Sequence, residues 1–210
     1  MPGNQLSGTR NVHIPLILAS ASPRRVDLLA QIQVTPDSIV PPHIDETPLK
    51  DESPREMAVR LCRLKALEVQ KNHPDACIIA ADTVVAVGHR ILGKAENKRE
   101  AKRMLEMLSG RSHKVIGGLC VLAPGARQVV KAVTTSVTFK RLDTFEIETY
   151  IQSEEWMDKA GAYAIQGCAG AFVRRINGSY TNVVGLPLFE TANALKGIGF
   201  PHLGLVRDDV

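Results

Sequence analysis

Apolar positions along the chain fall into two rhythms. LILAS (16–20) and ACIIAADTVVAVG (76–88) are near-continuous apolar runs, the pattern of strands buried on both faces. Segments 113–123 and 128–140 flank Pro124-Gly125 and predict an antiparallel hairpin, with Val133, Val137 and Phe139 at period two on one face. Elsewhere the spacing is helical. One helix opens at Pro23 behind Ser22, with Val26, Leu29 and Ala30 on a shared face. A second follows Ser53-Pro54-Arg55-Glu56, a capping-box signature, with Met57, Leu61 and Leu64 as its apolar stripe. A third, over 98–109, aligns Ala101, Met104, Leu105 and Leu108 and stops at Gly110. A fourth opens on the acidic capping pair Asp143 and Glu146, and a last one runs from Pro187 to Gly197.

Strands and helices mixed without strict alternation predict an α/β fold on a mixed sheet with flanking helices and two lobes around a cleft. Residues 1–13 read as a flexible extension, 14–200 as one domain and 201–210 as a tail. No segment approaches the roughly 20 apolar residues that span a bilayer, so neither export nor a membrane partner is expected. The four cysteines, Cys62, Cys77, Cys120 and Cys168, lack metal or redox spacing and read as small hydrophobes in a reduced, cytoplasmic setting.

With 26 basic and 22 acidic side chains, the net charge of +4 attracts anions only mildly. Aromatic residues make up 4% of the chain, which leaves few surfaces for stacking bases. No dedicated nucleic-acid partner is expected, whereas a phosphorylated small molecule fits. The glycine-rich stretch 159–185 lets backbone approach a ligand or another strand closely.

The chemistry is sought where polar residues break these patterns. Arg24 and Arg25 stand in a first helical turn, where a cation is disfavoured by about 0.3–1 kcal/mol. With Ser20, Ser22 and free helix N–H groups they suit a polyphosphate, although a plain solvated helix start has the same pattern. Lys65 projects on the apolar side of its helix, so it must snorkel or meet an anion. Asp82 interrupts an apolar strand and must meet a cation, a metal or solvent. It reads as a general base, a metal ligand or a strand-end cap. In HIDETP, Asp45 or Glu46 would complete an oxygen site for Mg²⁺ or Mn²⁺ beside Asp82, or would simply be solvated. Lys94 follows a loop glycine as many surface lysines do. Gln166, among small residues, suits the edge of a base or a buried backbone group equally.

Taken in order, LASASPRR, RLCRLKA, AADTVV, LSGRSHKV and DKAGAYAIQGCAGAFVRRINGSYTNVVGLPL closely resemble the Maf family of nucleotide pyrophosphatases, from residue 16 to about 196. AGAYAIQG resembles the branch acting on dTTP and UTP rather than the branch acting on 7-methyl-GTP. The resemblance implies cleavage of a nucleoside triphosphate to monophosphate and pyrophosphate with a divalent metal, on an elongated mixed α/β fold similar to inosine triphosphate pyrophosphatases. It implies Asp82 as the proton acceptor, with Arg24, Thr83 and Gln166 at positions tied to substrate selection. Ser20, Arg25, Lys65 and Lys94 would bind phosphates, and Glu46 would help Asp82 hold the metal. A homodimer is compatible with it. Ala95 stands where proline is common and Gly117 where threonine is common, departures that bear on kinetics more than on reaction class. The alternative is a non-catalytic nucleic-acid-binding regulator of cell division. It would need an extended basic face and would tolerate loss of a buried carboxylate.

Overall fold

The computed structural model describes residues 14–200. The expected extension 1–13 and tail 201–210 lie outside the described residues. Strand β1 (Leu16–Ala19) is buried throughout and turns through Ser20 into helix α1 (Pro23–Gln31). There follow β2 (Ser38–Ile39), α2 (Pro54–Gln70), β3 (Cys77–Val87), β4 (Arg90–Leu92) and α3 (Lys98–Leu108). Strands β5 (Ser112–Leu122) and β6 (Gln128–Phe139) form the expected hairpin. Then come α4 (Thr144–Gln152), β7 (Val173–Asn177), α5 (Tyr180–Val184) and α6 (Leu188–Gly197). The capping boxes at Ser53/Glu56 and Asp143/Glu146 both form, which fixes where α2 and α4 begin.

The strands make one seven-stranded sheet, six of them in the order β2, β1, β3, β5, β6, β7 and the seventh, β4, paired with β3 off that path. Strand β1 runs parallel to β2 and β3, and the other pairings are antiparallel. On one edge of β3, β1 pairs with Cys77–Ala80 and β4 with Val85–Val87, while β5 covers the other edge from Ile78 to Ala86. Residues 81–84 therefore face a split in the sheet, at the carboxyl end of β1. Open parallel strands leave a ligand crevice at such a place.

Strand alternation sends Ile78, Ala80, Asp82 and Val84 toward α2, and Ile79, Ala81, Thr83 and Val85 to the opposite face. On that opposite face, α1 and α6 pack with Leu119 and Val121 as one core, while α3 and α4 pack with Val115, Val137 and Phe139 as another. These are the two lobes. Helices come close to β5 because it carries adjacent glycines. A Cβ on Gly118 would stand 2.0 Å from the Ala58 carbonyl oxygen on α2, and one on Gly117 would stand 1.9 Å from Asn182 Oδ1 on α5. A threonine at 117 has no room against this asparagine.

Three side chains lie elsewhere than their spacing predicts. The buried stripe of α1 is Arg25, Leu28 and Leu29, and Ala30 is exposed on the far side. The stripe of α2 is centred on Ala58, Leu61, Cys62, Lys65 and Val69, which puts Leu64 at its margin and leaves it 39% exposed. Cys168 is exposed, while the other three cysteines are buried, and all four are free thiols.

Candidate active site

The split in the sheet opens into a cleft of about 930 Å³ between the lobes. Of the side chains picked out from the sequence for catalysis, substrate or metal, all but Asp45 line it: Ser20, Arg24 and Arg25 from the β1–α1 turn, Glu46 from a loop, Lys65 from α2, Asp82 and Thr83 from β3, then Lys94 and Gln166.

Arg25 is buried because it lies on the inward stripe of α1. Its Nε donates to the Gly185 carbonyl oxygen and its Nη1 to Ser20 Oγ, both at 2.9 Å. Arg24, half-buried, donates from Nε to the Val184 carbonyl oxygen at 3.4 Å. Both guanidinium groups thus meet carbonyls where α5 ends, a favourable place for a cation. This compensates for their unfavourable position at the start of α1. Burial pushes the pKa of Arg25 down, the charge of Asp82 partly offsets it, and Arg24 adds repulsion. The Ser22 side chain makes no capping bond, and its N–H donates instead to Ser20 Oγ.

Lys65 reaches from the apolar face of α2 to two carboxylates. Its Nζ is 2.6 Å from Asp82 Oδ1 and 2.7 Å from Glu46 Oε1. Lys65 and Asp82 are buried, whereas half of the Glu46 side chain remains exposed. Burial works against the charge of Glu46, but the Lys65 hydrogen bond and the charges of Lys65, Lys94 and Arg25 together hold its carboxyl below the ordinary value. Asp45 is the loop acid that stays outside, exposed and accepting from the Thr47 N–H at 2.9 Å.

Asp82 and Glu46 thus bring two hard oxygen donors to one point. Among the described residues no three His, Cys, Asp or Glu side chains gather as a metal cluster. Two carboxylates suit a small divalent ion that takes its other ligands from substrate phosphates and water.

On the other face of β3, the buried Thr83 hydroxyl has no hydrogen-bond partner, which suits a polar group of a ligand. Gln166 is exposed at the cleft wall. Lys94 is exposed, 4.0 Å from Asp158 Oδ1, and its backbone bridges to Ala160.

Sequence reasoning passed over Asp158, Lys159 and Tyr163, which also line the cleft, and His113 behind them. Asp158 and Lys159 look like ordinary surface charges, and only their adjacency to the glycine-rich run marks them. The Tyr163 hydroxyl lies 2.8 Å from His113 Nε2, and both rings meet Phe139 edge to face. Burial pushes the His113 pKa down to about 4 and that of Tyr163 up.

Comparison with known proteins places this architecture. The family model described as Maf-like protein matches residues 15–198. The chain is 58% identical over 185 residues to the dTTP/UTP pyrophosphatase of Paramagnetospirillum magneticum, covering 88% of this chain and 97% of that one. It is 56% identical over 186 residues to the dTTP/UTP pyrophosphatase of Rhodospirillum rubrum, covering 89% of each chain. Among solved structures, the Ham1 protein of Staphylococcus aureus shares the fold with a TM-score of 0.50 at 16% identity, over 88% of this chain and 99% of that chain.

Proposed function

The chain belongs to the Maf-like protein family, and from that premise we propose that it is a hydrolase converting dTTP and UTP to the monophosphates and pyrophosphate. The observation that carries this reading is the buried Asp82 carboxylate held by Lys65 in a cleft whose walls gather Arg24, Arg25 and Lys94. A hydrolase needs a base beside cations for phosphates. The regulator alternative has no use for a carboxylate placed there and is not favoured.

Lys65 donates to Asp82 Oδ1 at 2.6 Å and so orients that carboxylate in the cleft. Asp82 takes a proton from a water molecule, whose oxygen bonds to the α-phosphorus. The bond from that phosphorus to the bridging oxygen breaks, and pyrophosphate leaves with the electron pair. Arg25, fixed by Gly185 and Ser20, meets developing charge without reorganising, so the contribution is positioning and electrostatic stabilisation. A divalent ion held by Asp82 and Glu46 would supply charge neutralisation at the phosphates. Thr83 and Gln166, both lining the cleft, offer hydrogen bonds to the pyrimidine. Nucleoside triphosphate substrates suit a cytoplasmic location, and no helix among the described residues is long and apolar enough to cross a membrane.

A panel of dTTP, UTP, dCTP, dATP and dGTP, incubated with Mg²⁺ or Mn²⁺ and assayed for pyrophosphate, tests the reading. Pyrophosphate from dTTP and UTP in excess of the purine nucleotides is expected. Release of orthophosphate alone, or equal turnover of purines, would overturn it.

A further inference from the structure

The charges of the cleft divide into two sets. The inner set is Arg25, Lys65, Asp82 and Glu46, two cations and two carboxylates linked by the Lys65 ion pairs and by the charge of Arg25 against both acids. It is neutral as a whole, so it has little net charge to offer a polyanion. The outer set is Arg24, Lys94, Lys159 and Asp158, three cations and one acid, all lining the cleft.

The outer set is built from both walls. Arg24 stands on α1, while Lys94 and Lys159 come from segments stitched together by the Lys94–Ala160 bridge and by the Gly161 N–H, which donates to the Leu92 and Gly93 carbonyls at 3.2 and 2.9 Å. Lys159 is half-buried, and its Nζ donates to the Met157 carbonyl oxygen at 2.9 Å. Burial pushes its pKa down, and the facing charges of Arg24 and Lys94 push the same way, against Asp158 and Glu155. Three cations held together against their repulsion are stabilised by a multivalent anion.

We infer that Lys159, with Arg24 and Lys94, forms a subsite for the pyrophosphate end of the substrate, separate from the neutral set around Asp82. The inference rests on the triphosphatase reading and adds a residue and a division of labour to it. The inner set handles the attacking water and the scissile phosphorus. The outer set takes the leaving pyrophosphate, whose added charge on departure it neutralises.

Two measurements test this. In the first, Lys159→Gln and Lys159→Arg are assayed for dTTP turnover and for inhibition by added pyrophosphate. The glutamine variant is expected to raise KM for dTTP and to weaken pyrophosphate inhibition by about tenfold each, with the dTTP-to-dATP preference unchanged and with arginine restoring most of the loss. Unchanged pyrophosphate inhibition, or a change confined to the base preference, would overturn the subsite. In the second, the unmodified protein is treated with a lysine-acylating reagent, with and without pyrophosphate, and modification of Lys159 is read by peptide mass. Protection by pyrophosphate is expected, and equal modification would contradict the inference. This labelling requires no turnover. If the unmodified enzyme does not hydrolyse dTTP, the functional reading fails while the anion subsite is still decided.

Discussion

Lys65 Nζ sits between Asp82 Oδ1 at 2.6 Å and Glu46 Oε1 at 2.7 Å, so one ammonium on α2 joins strand β3 to the loop carboxylate. Removing one member of a buried pair leaves an uncompensated charge, which costs about 3–5 kcal/mol. Lys65→Met is therefore expected to lose stability on this scale, and Lys65→Met with Asp82→Leu to recover most of it. Denaturant midpoints of the single and double variants measure the coupling, and additive losses would mean the pair is not coupled.

Arg25 is expected to be more sensitive than its neighbour, because its fork is fixed by the Gly185 carbonyl and Ser20 Oγ. Arg25→Ala should weaken dTTP binding by about 1.5–3 kcal/mol, the scale of a hydrogen bond to a charged group, and dTMP binding by less. Calorimetry on the two nucleotides measures the difference. Equal losses for both would confine Arg25 to the α-phosphate that the two nucleotides share, and an unchanged dTTP affinity would take it away from the phosphates.

His113 gives stability a pH dependence. Its ordinary pKa of 6.5 is lowered to about 4 by burial against Tyr163 and Phe139. As pH falls through 6.5 the unfolded chain takes up a proton that the folded chain refuses until about 4. The contribution is therefore complete above 6.5 and is lost down to about pH 4, on the order of 3 kcal/mol in all. Denaturant unfolding of the parent and His113→Gln between pH 7 and 4 should show a shallower decline in the variant. Parallel declines would contradict the assignment.

Gly117 and Asn182 connect the sheet to the arginine site. Asn182 Nδ2 donates to the Val115 and Val133 carbonyls at 3.2 Å, which anchors α5, the helix whose end accepts from Arg24 and Arg25. Gly117→Ala must displace this side chain, so a loss of about 1–3 kcal/mol is expected together with a raised KM for dTTP. A melting curve and steady-state kinetics on one preparation check both effects. A stable variant with an unchanged KM would mean that the anchor has slack.

Long periodic elements were legible from residues alone. The β5–β6 hairpin, the stripe of α3 and both capping boxes follow local rules that tertiary contacts reinforce. Strands β2 and β4 were not legible, because two or three residues cannot show a period. Nor was α5, a five-residue helix in a glycine-rich stretch, held by Asn182 reaching into the groove above Gly117. Lys65 announced itself by lying on an apolar helix face, and Asp82 by interrupting an apolar strand. What no local pattern reveals is that they meet, or that Arg25 turns inward to a carbonyl 160 residues away. Those contacts arise from the split between β1 and β4 on one edge of β3.

The central claim is that Asp82 is the base for pyrophosphate release, and Asp82→Asn tests it most directly. The amide keeps the shape and can still hydrogen-bond, but it cannot accept the proton from water and is a poorer metal ligand. Pyrophosphate release from dTTP, measured at saturating nucleotide and metal on a variant shown to be folded by its melting transition, is predicted to fall in kcat by about 100-fold or more. A variant that releases pyrophosphate at close to the parent rate would contradict the account.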